Sequence, residues 1–183
     1  MRQMTDLLSR DSAIRFTRTI LSEARAVGLP LESKSVDHLC FRVEHVDDYR
    51  FACNLIASGT AHDLRGTLLA ESMVNGRPIS AFKLHESLIV DDQVVSVIEI
   101  PSPKQGRHYA TGFEHIEVVT AMSFAELRQR FQHLTFEGPA SDNSFNPELV
   151  WRASRGTVKF HHQTLEHVIE LERSQAQSYD PLS

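Results

Sequence analysis

Apolar and polar residues alternate over two stretches that read almost alike: Asp37-His38-Leu39-Cys40-Phe41-Arg42-Val43 and Glu114-His115-Ile116-Glu117-Val118-Val119. Side chains two apart on a strand share a face. Leu39, Phe41 and Val43 therefore form one apolar face, and His38, Cys40 and Arg42 the other. In the second stretch Ile116 and Val118 turn to the apolar side, leaving His115, Glu117 and Val119 opposite. Each strand aims a histidine away from its apolar face. That marks an internal repeat whose two halves share one site.

The pattern between and around these strands completes the repeat. Ala13, Phe16, Ile20, Ala24 and Val27 recur at helical spacing, with Asp11 or Ser12 as N-cap and Gly28 and Pro30 ending the run. This predicts a helix over 11–27, an N-terminal extension (1–31) covering the core. After the first histidine strand (36–43), a helix spans 47–58 and is closed by Gly59. Strands over 68–74 and 78–84 flank Asn75-Gly76, a dipeptide that suits the two positive φ angles of a type I′ hairpin turn. Asp91-Asp92 turns the chain again, and 94–100 is a strand ended by Pro101 and Pro103. The result is a βαβββ unit over 36–102.

The second unit, 113–174, follows the same plan. Its strand at 114–120 is followed by a capping box, Ser123 with Glu126, and a stripe of Phe124, Leu127, Phe131 and Leu134. Residues 135–148, with Asn143 among their turn formers, read as a loop with at most one short strand. Strands at 149–153 and 157–161 surround Arg155-Gly156, and Thr164 caps a last helix carrying Leu165, Val168, Ile169 and Glu172. The expected fold class is α+β: tandem βαβββ units in one domain, 1–183, forming an open, mostly antiparallel barrel.

Composition narrows the function. The 183 residues carry a formal net charge of −5, which disfavours a dedicated nucleic-acid binder. No apolar run approaches a membrane span, and the N-terminus lacks a secretory apolar region. Two cysteines make no disulfide framework, so a reducing cytoplasm is expected. The partner expected is a small-molecule ligand, with an anionic group a candidate feature, and the chain a monomer or homodimer.

Ten histidines are the unusual count. Most, His62 among them, fall in loops or on helices and receive no role. Strand parity sets Ile98 and Ile100 toward the helices and Glu99 toward the other side with Val97 and Val95. Likewise Val158 and Phe160 face the helices, and Thr157, Lys159 and His161 the cavity. The concave surface then carries His38, Glu99, His115 and His161, with Arg42, Glu117 and Lys159 nearby. Imidazoles and a carboxylate around open positions suit Zn, Fe, Mn or Ni as a divalent ion. The bland alternative pairs Glu99 with Arg42 or Lys159. Cys40 reads as small apolar filler, and Arg77 as a solvated residue or one leaning over the cavity mouth.

Paired βαβββ units with a histidine on each first strand resemble the vicinal oxygen chelate superfamily of glyoxalase, bleomycin-resistance and dioxygenase proteins. More narrowly, Asp37-His38, Asn75-Gly76-Arg77-Pro78-Ile79, Phe82-Lys83-Leu84-His85-Glu86, Ile98-Glu99-Ile100-Pro101, Glu114-His115-Ile116-Glu117 and Val158-Lys159-Phe160-His161 resemble the YecM-like proteins. The superfamily resemblance implies metal ligands from the first and last strand of each unit. His38, Glu99 and His115 match; the fourth place, usually glutamate, offers Lys159 and His161 instead. Two functions follow as expectations. One is a metal-dependent isomerase, lyase or oxygenase in which Glu99 or His161 moves a proton while Arg42 or Lys159 holds an anionic group. The other is a non-catalytic module that binds or sequesters a small ligand.

Overall fold

The computed structural model describes residues 4–32, 35–59, 63–139 and 146–178; His62 and Asn143 lie outside them. Two helices open the chain, α1 (Met4–Leu7) and α2 (Arg10–Ala26). The first repeat runs β1 (Val36–Arg42), α3 (Val46–Ser58), β2 (Gly66–Val74), β3 (Arg77–Val90) and β4 (Gln93–Pro101). The second runs β5 (Gly112–Val119), α4 (Phe124–Arg130), β6 (Phe136–Glu137), β7 (Leu149–Arg152) and β8 (Thr157–His161), and α5 (Leu165–Ser178) follows.

The eight strands of the described residues join one sheet in the order β2-β3-β4-β1-β5-β8-β7-β6. Read outward from the centre, each half repeats the other. β1 and β5 pair antiparallel, β1 pairs parallel with β4 and β5 parallel with β8, and the outer pairs are antiparallel. This is the tandem βαβββ arrangement of the glyoxalase/bleomycin-resistance/dioxygenase fold, with α2 added to its convex side. Residues of both flanks, Ala70 and Ser72 on β2 and Val150 and Arg152 on β7, line one cavity with Glu99 and His115. The sheet is therefore curved around that cavity.

The apolar faces read from the pattern make the main core. Leu39, Phe41, Ile98, Ile100, Ile116, Val118, Val158 and Phe160 pack under Ile20, Leu21 and Ala24 of α2, Ala52 and Ile56 of α3, and Phe124 and Leu127 of α4. The Asn75-Gly76 turn has φ of 51° and 76°, as a type I′ hairpin requires. At Gly156 a Cβ would lie 2.5 Å from the Glu114 carbonyl and 2.9 Å from the Phe16 ring, so α2 crosses the sheet where only glycine fits. The Ser123–Glu126 capping box is complete.

Local details depart from expectation. The N-cap of α2 is Ser9, whose Oγ accepts from the Ser12 N–H at 3.2 Å, rather than Asp11 or Ser12. Asp11 lies instead in the first turn, where its charge favours the helix dipole. β3 continues to Val90 through the polar His85-Glu86-Ser87, which hides it from an apolar count. Its pairing with β4 shifts between Lys83 and Leu88. Val95 accordingly packs in the main core, while Val97 joins Ala81 and Ile169 on the concave side, so Val95 does not share the face of Glu99. That second cluster shows where α5 lies. It covers the concave face of the first half, and Leu165, Ile169 and Glu172 form one wall of the cavity.

Candidate functional site

Strand register brings the polar positions together. Across the central β1–β5 pair, His38 stands opposite Glu117 and Cys40 opposite His115. On the flanks, Cys40 neighbours Glu99 and Glu117 neighbours Lys159. A pseudo-two-fold axis between β1 and β5 therefore relates His38 to His115, Cys40 to Glu117 and Glu99 to Lys159. The repeat is symmetric in backbone and asymmetric in chemistry.

The asymmetry centres on Glu117. His38 Nε2 lies 3.4 Å from its Oε2, His161 Nε2 2.8 Å from the same oxygen, and His115 Nε2 3.2 Å from Oε1. Glu99 stands farther out, 4.0 Å from His38 Nε2. Sequence parity had left Glu117 beside the site; the register puts it in the middle. Each imidazole is held from behind through Nδ1, by Asp37 at 2.8 Å for His38, Glu114 at 3.1 Å for His115 and Asn146 at 3.2 Å for His161. All three Nε2 atoms are thereby turned inward. Those of His38 and His161 are buried and make no aligned hydrogen bond, short as their separations from Glu117 are.

Lys159 also reaches Glu117. Its Nζ lies 3.3 Å from Glu117 Oε1 and 3.0 Å from Glu148 Oε2, so the expected pairing with Glu99 does not form. The reason is the register: Lys159 neighbours Glu117 directly on β5, whereas Glu99 lies beyond β1. Arg42 likewise pairs with Glu114 and stacks over the Tyr109 ring, its carbon 5.0 Å from the ring centroid, leaving Glu99 without either cation as an ion-pair partner.

This crowding sets the charges. Burial opposes the His38 cation, but Glu117, Asp37 and Glu99 outweigh it and raise its pKa to about 10. Burial likewise opposes the His115 cation, and Cys40, Glu114 and Glu117 push its pKa well above the usual imidazole range. Burial would raise Glu117, yet His38, His115 and His161 hold it well below the carboxylate range. For Glu114, His115 and Arg42 overcome burial and lower the pKa to about 2. Lys159 is raised against burial by Glu117 and Glu148.

The donor set fits a divalent metal. Three buried imidazole nitrogens converge on one carboxylate, two lack an aligned partner, and every Nδ1 is fixed by an oxygen behind it, as metal-binding histidines require. Smaller groups of ligand atoms lie within 4.8 Å of one another, Glu117 with Glu148 and His161, and Cys40 with Glu114 and His115. Cys40, read as filler, lies in the second of these groups. Asn146 and Glu148 carry no sequence signal, because they sit in an irregular segment whose direction no periodicity sets. The cavity holding all this has a volume of about 500 Å³, the size of a small-molecule site.

A family model for the YecM protein matches residues 6–172. The chain belongs to the YecM family. Protein YecM of Escherichia coli strain K12 is 29% identical over 181 residues, covering 87% of this chain and 90% of that one. An uncharacterised protein of Haemophilus influenzae is 33% identical over 112 residues, 61% of this chain and 55% of its own length. The solved structure of structural-genomics protein EC4020 superposes with a TM-score of 0.65 at 26% identity, covering 94% of this chain and 97% of that one. Among the described residues no helix of this YecM family member is long and apolar enough to cross a membrane.

Proposed function

We propose that the chain is a metal-dependent enzyme acting on a small oxygen-bearing substrate within the cavity. The observation that carries this reading is the convergence of His38, His115 and His161 through Nε2 on Glu117, each ring anchored from behind. His38, His115, Glu117 and His161 would hold the ion, with Glu99 next to them as a further ligand. The N/O donor set suits Zn, Fe, Mn or Ni. A divalent ion there supplies Lewis-acid polarisation of adjacent substrate oxygens.

The protein's own groups supply the rest. Among the described residues Glu99 faces the cavity with no cation closer than His38, so where it is not a ligand it is the group placed to accept or return a substrate proton. His161 shares that role only where it is not a ligand, its ring orientation being fixed by Asn146. Arg42 and Lys159 line the same space and orient a negatively charged part of the substrate. Proton transfer at a carbon or oxygen beside a chelated oxygen is common to isomerase and lyase chemistry.

One observation favours a second reading. Lys159 occupies the pseudo-symmetric place of Glu99 and already neutralises Glu117. In that case Glu117 is balanced without an ion, and the cavity binds or sequesters a ligand without turnover. Metal titration of tag-free protein separates the readings. The enzyme reading requires uptake of one ion per chain, and Glu117→Gln lowers that affinity at least a hundredfold. Uptake unchanged in Glu117→Gln would contradict it.

A further inference from the structure

The cavity has a second chemical feature, at the end away from His38. Arg77 enters there from the start of β3, just past the Asn75-Gly76 turn. Its Nη1 donates to the Ser102 carbonyl at 2.5 Å, and its Nε is buried without a hydrogen-bond partner. Arg42 comes in from the end of β1, its Nε bonded to Glu114, its guanidinium over Tyr109, and its Nη1 buried without a partner. Both line the cavity together with Lys104. Burial first, and then the Arg42 charge, lowers the pKa of Arg77, so the two guanidiniums feel each other.

The other cations of the cavity are matched. Lys159 pairs with Glu117 and Glu148, and Arg152 with Glu137. Arg42 has Glu114, but among the described residues Arg77 and Lys104 make no ion pair. Two like charges lining one partly buried wall repel, and an anion bound near both relieves the repulsion. Both guanidiniums are immobilised by their second contacts, Glu114 and the Ser102 carbonyl, so little entropy is lost when they bind.

We propose that Arg42 and Arg77, with Lys104 at the rim, form an oxyanion subsite that takes the carboxylate or phosphate group of the cavity's ligand. The inference rests on the small-ligand reading of the cavity and is independent of the metal. Arg42 lies four residues along β1 from His38, roughly 13 Å at about 3.3 Å per residue. The ligand therefore carries its anion at the end remote from His38. Guanidinium forks suit both planar carboxylates and phosphates.

The test uses the full chain stripped of metal with chelator, at an ionic strength held constant with chloride. Phosphate and succinate are titrated separately by calorimetry. One of them binds saturably, one per chain; phosphate winning identifies a phosphorylated ligand, succinate a carboxylate one. Arg77→Met weakens that binding at least tenfold, and Arg77→Lys weakens it less. A readout on wild-type protein removes dependence on the variant's folding: the side-chain Nε–H NMR signals of two arginines shift with the bound anion. Neither anion binding above chloride, no arginine signal moving, or a folded Arg77→Met that binds like wild type would overturn the proposal. Metal uptake is measured separately on the same preparations. Its failure alone would leave the anion result standing.

Discussion

Glu117 is the residue on which the chemistry turns, since three imidazoles and an ammonium lie within 3.4 Å of its oxygens. Lys159 is the member that works against an ion, because a cation next to the site repels a divalent one. Lys159→Met should raise divalent-metal affinity by about tenfold, some 1.4 kcal/mol, read by competition with a chromophoric chelator. Lower affinity in that variant would mean that the ammonium supports the site instead. A pH effect follows from His38. Its folded pKa, raised by Glu117 and Asp37 to about 10, exceeds the unfolded value near 6.5. That group's stabilisation is fully present below about pH 6.5 and is lost as pH rises through about 10. Metal-free protein should therefore lose melting temperature between pH 7 and 10. Metal-loaded protein should not, because ligation needs the neutral ring and binding releases its proton. A parallel decline of both forms would remove His38 from the ligand set.

Elements hold these residues in place through a few identifiable contacts. One Asp37 oxygen meets both His38 Nδ1 and the Leu165 N–H, each at 2.8 Å, so it orients a ring on β1 and caps α5. Asp37→Ala should cost about 1–2 kcal/mol and lower hydrogen-exchange protection at the start of α5. Unchanged protection there would show that α5 docks without Asp37. Gly156→Ala should destabilise by about 1–3 kcal/mol, because its methyl group meets the Glu114 carbonyl and Phe16; urea unfolding measures it, and a neutral result would mean that α2 yields easily. Most elements were legible because strands and helices here keep a strict period. The exceptions have local causes. Four-residue α1 is too short to show a period, polar residues mask the end of β3, and the register shift near Lys83 moves Val95 off the face of Glu99.

At the scale of the whole molecule, two similar units back onto each other across β1 and β5 and leave one cavity between their outer strands. That plan could be read from the repeat of Asp37-His38 in Glu114-His115. Apart from Val95, parity told which side chains enter the cavity, but not which neighbour each one meets. The pairing of Glu117 with Lys159, and of His38 with Glu117, depends on inter-strand register, which no single strand encodes. Asn146 and Glu148 arrive from a segment without periodicity. This convergence is expected to bind metal. That binding is tested most directly by elemental analysis of tag-free protein dialysed against Zn, Mn, Ni or Fe(II), beside His38→Ala and His115→Ala variants of verified fold. One ion per wild-type chain is expected for at least one of these metals, and its loss in both variants. Wild-type protein that retains no stoichiometric ion with any of them, or variants that keep it, would contradict metal binding at this convergence.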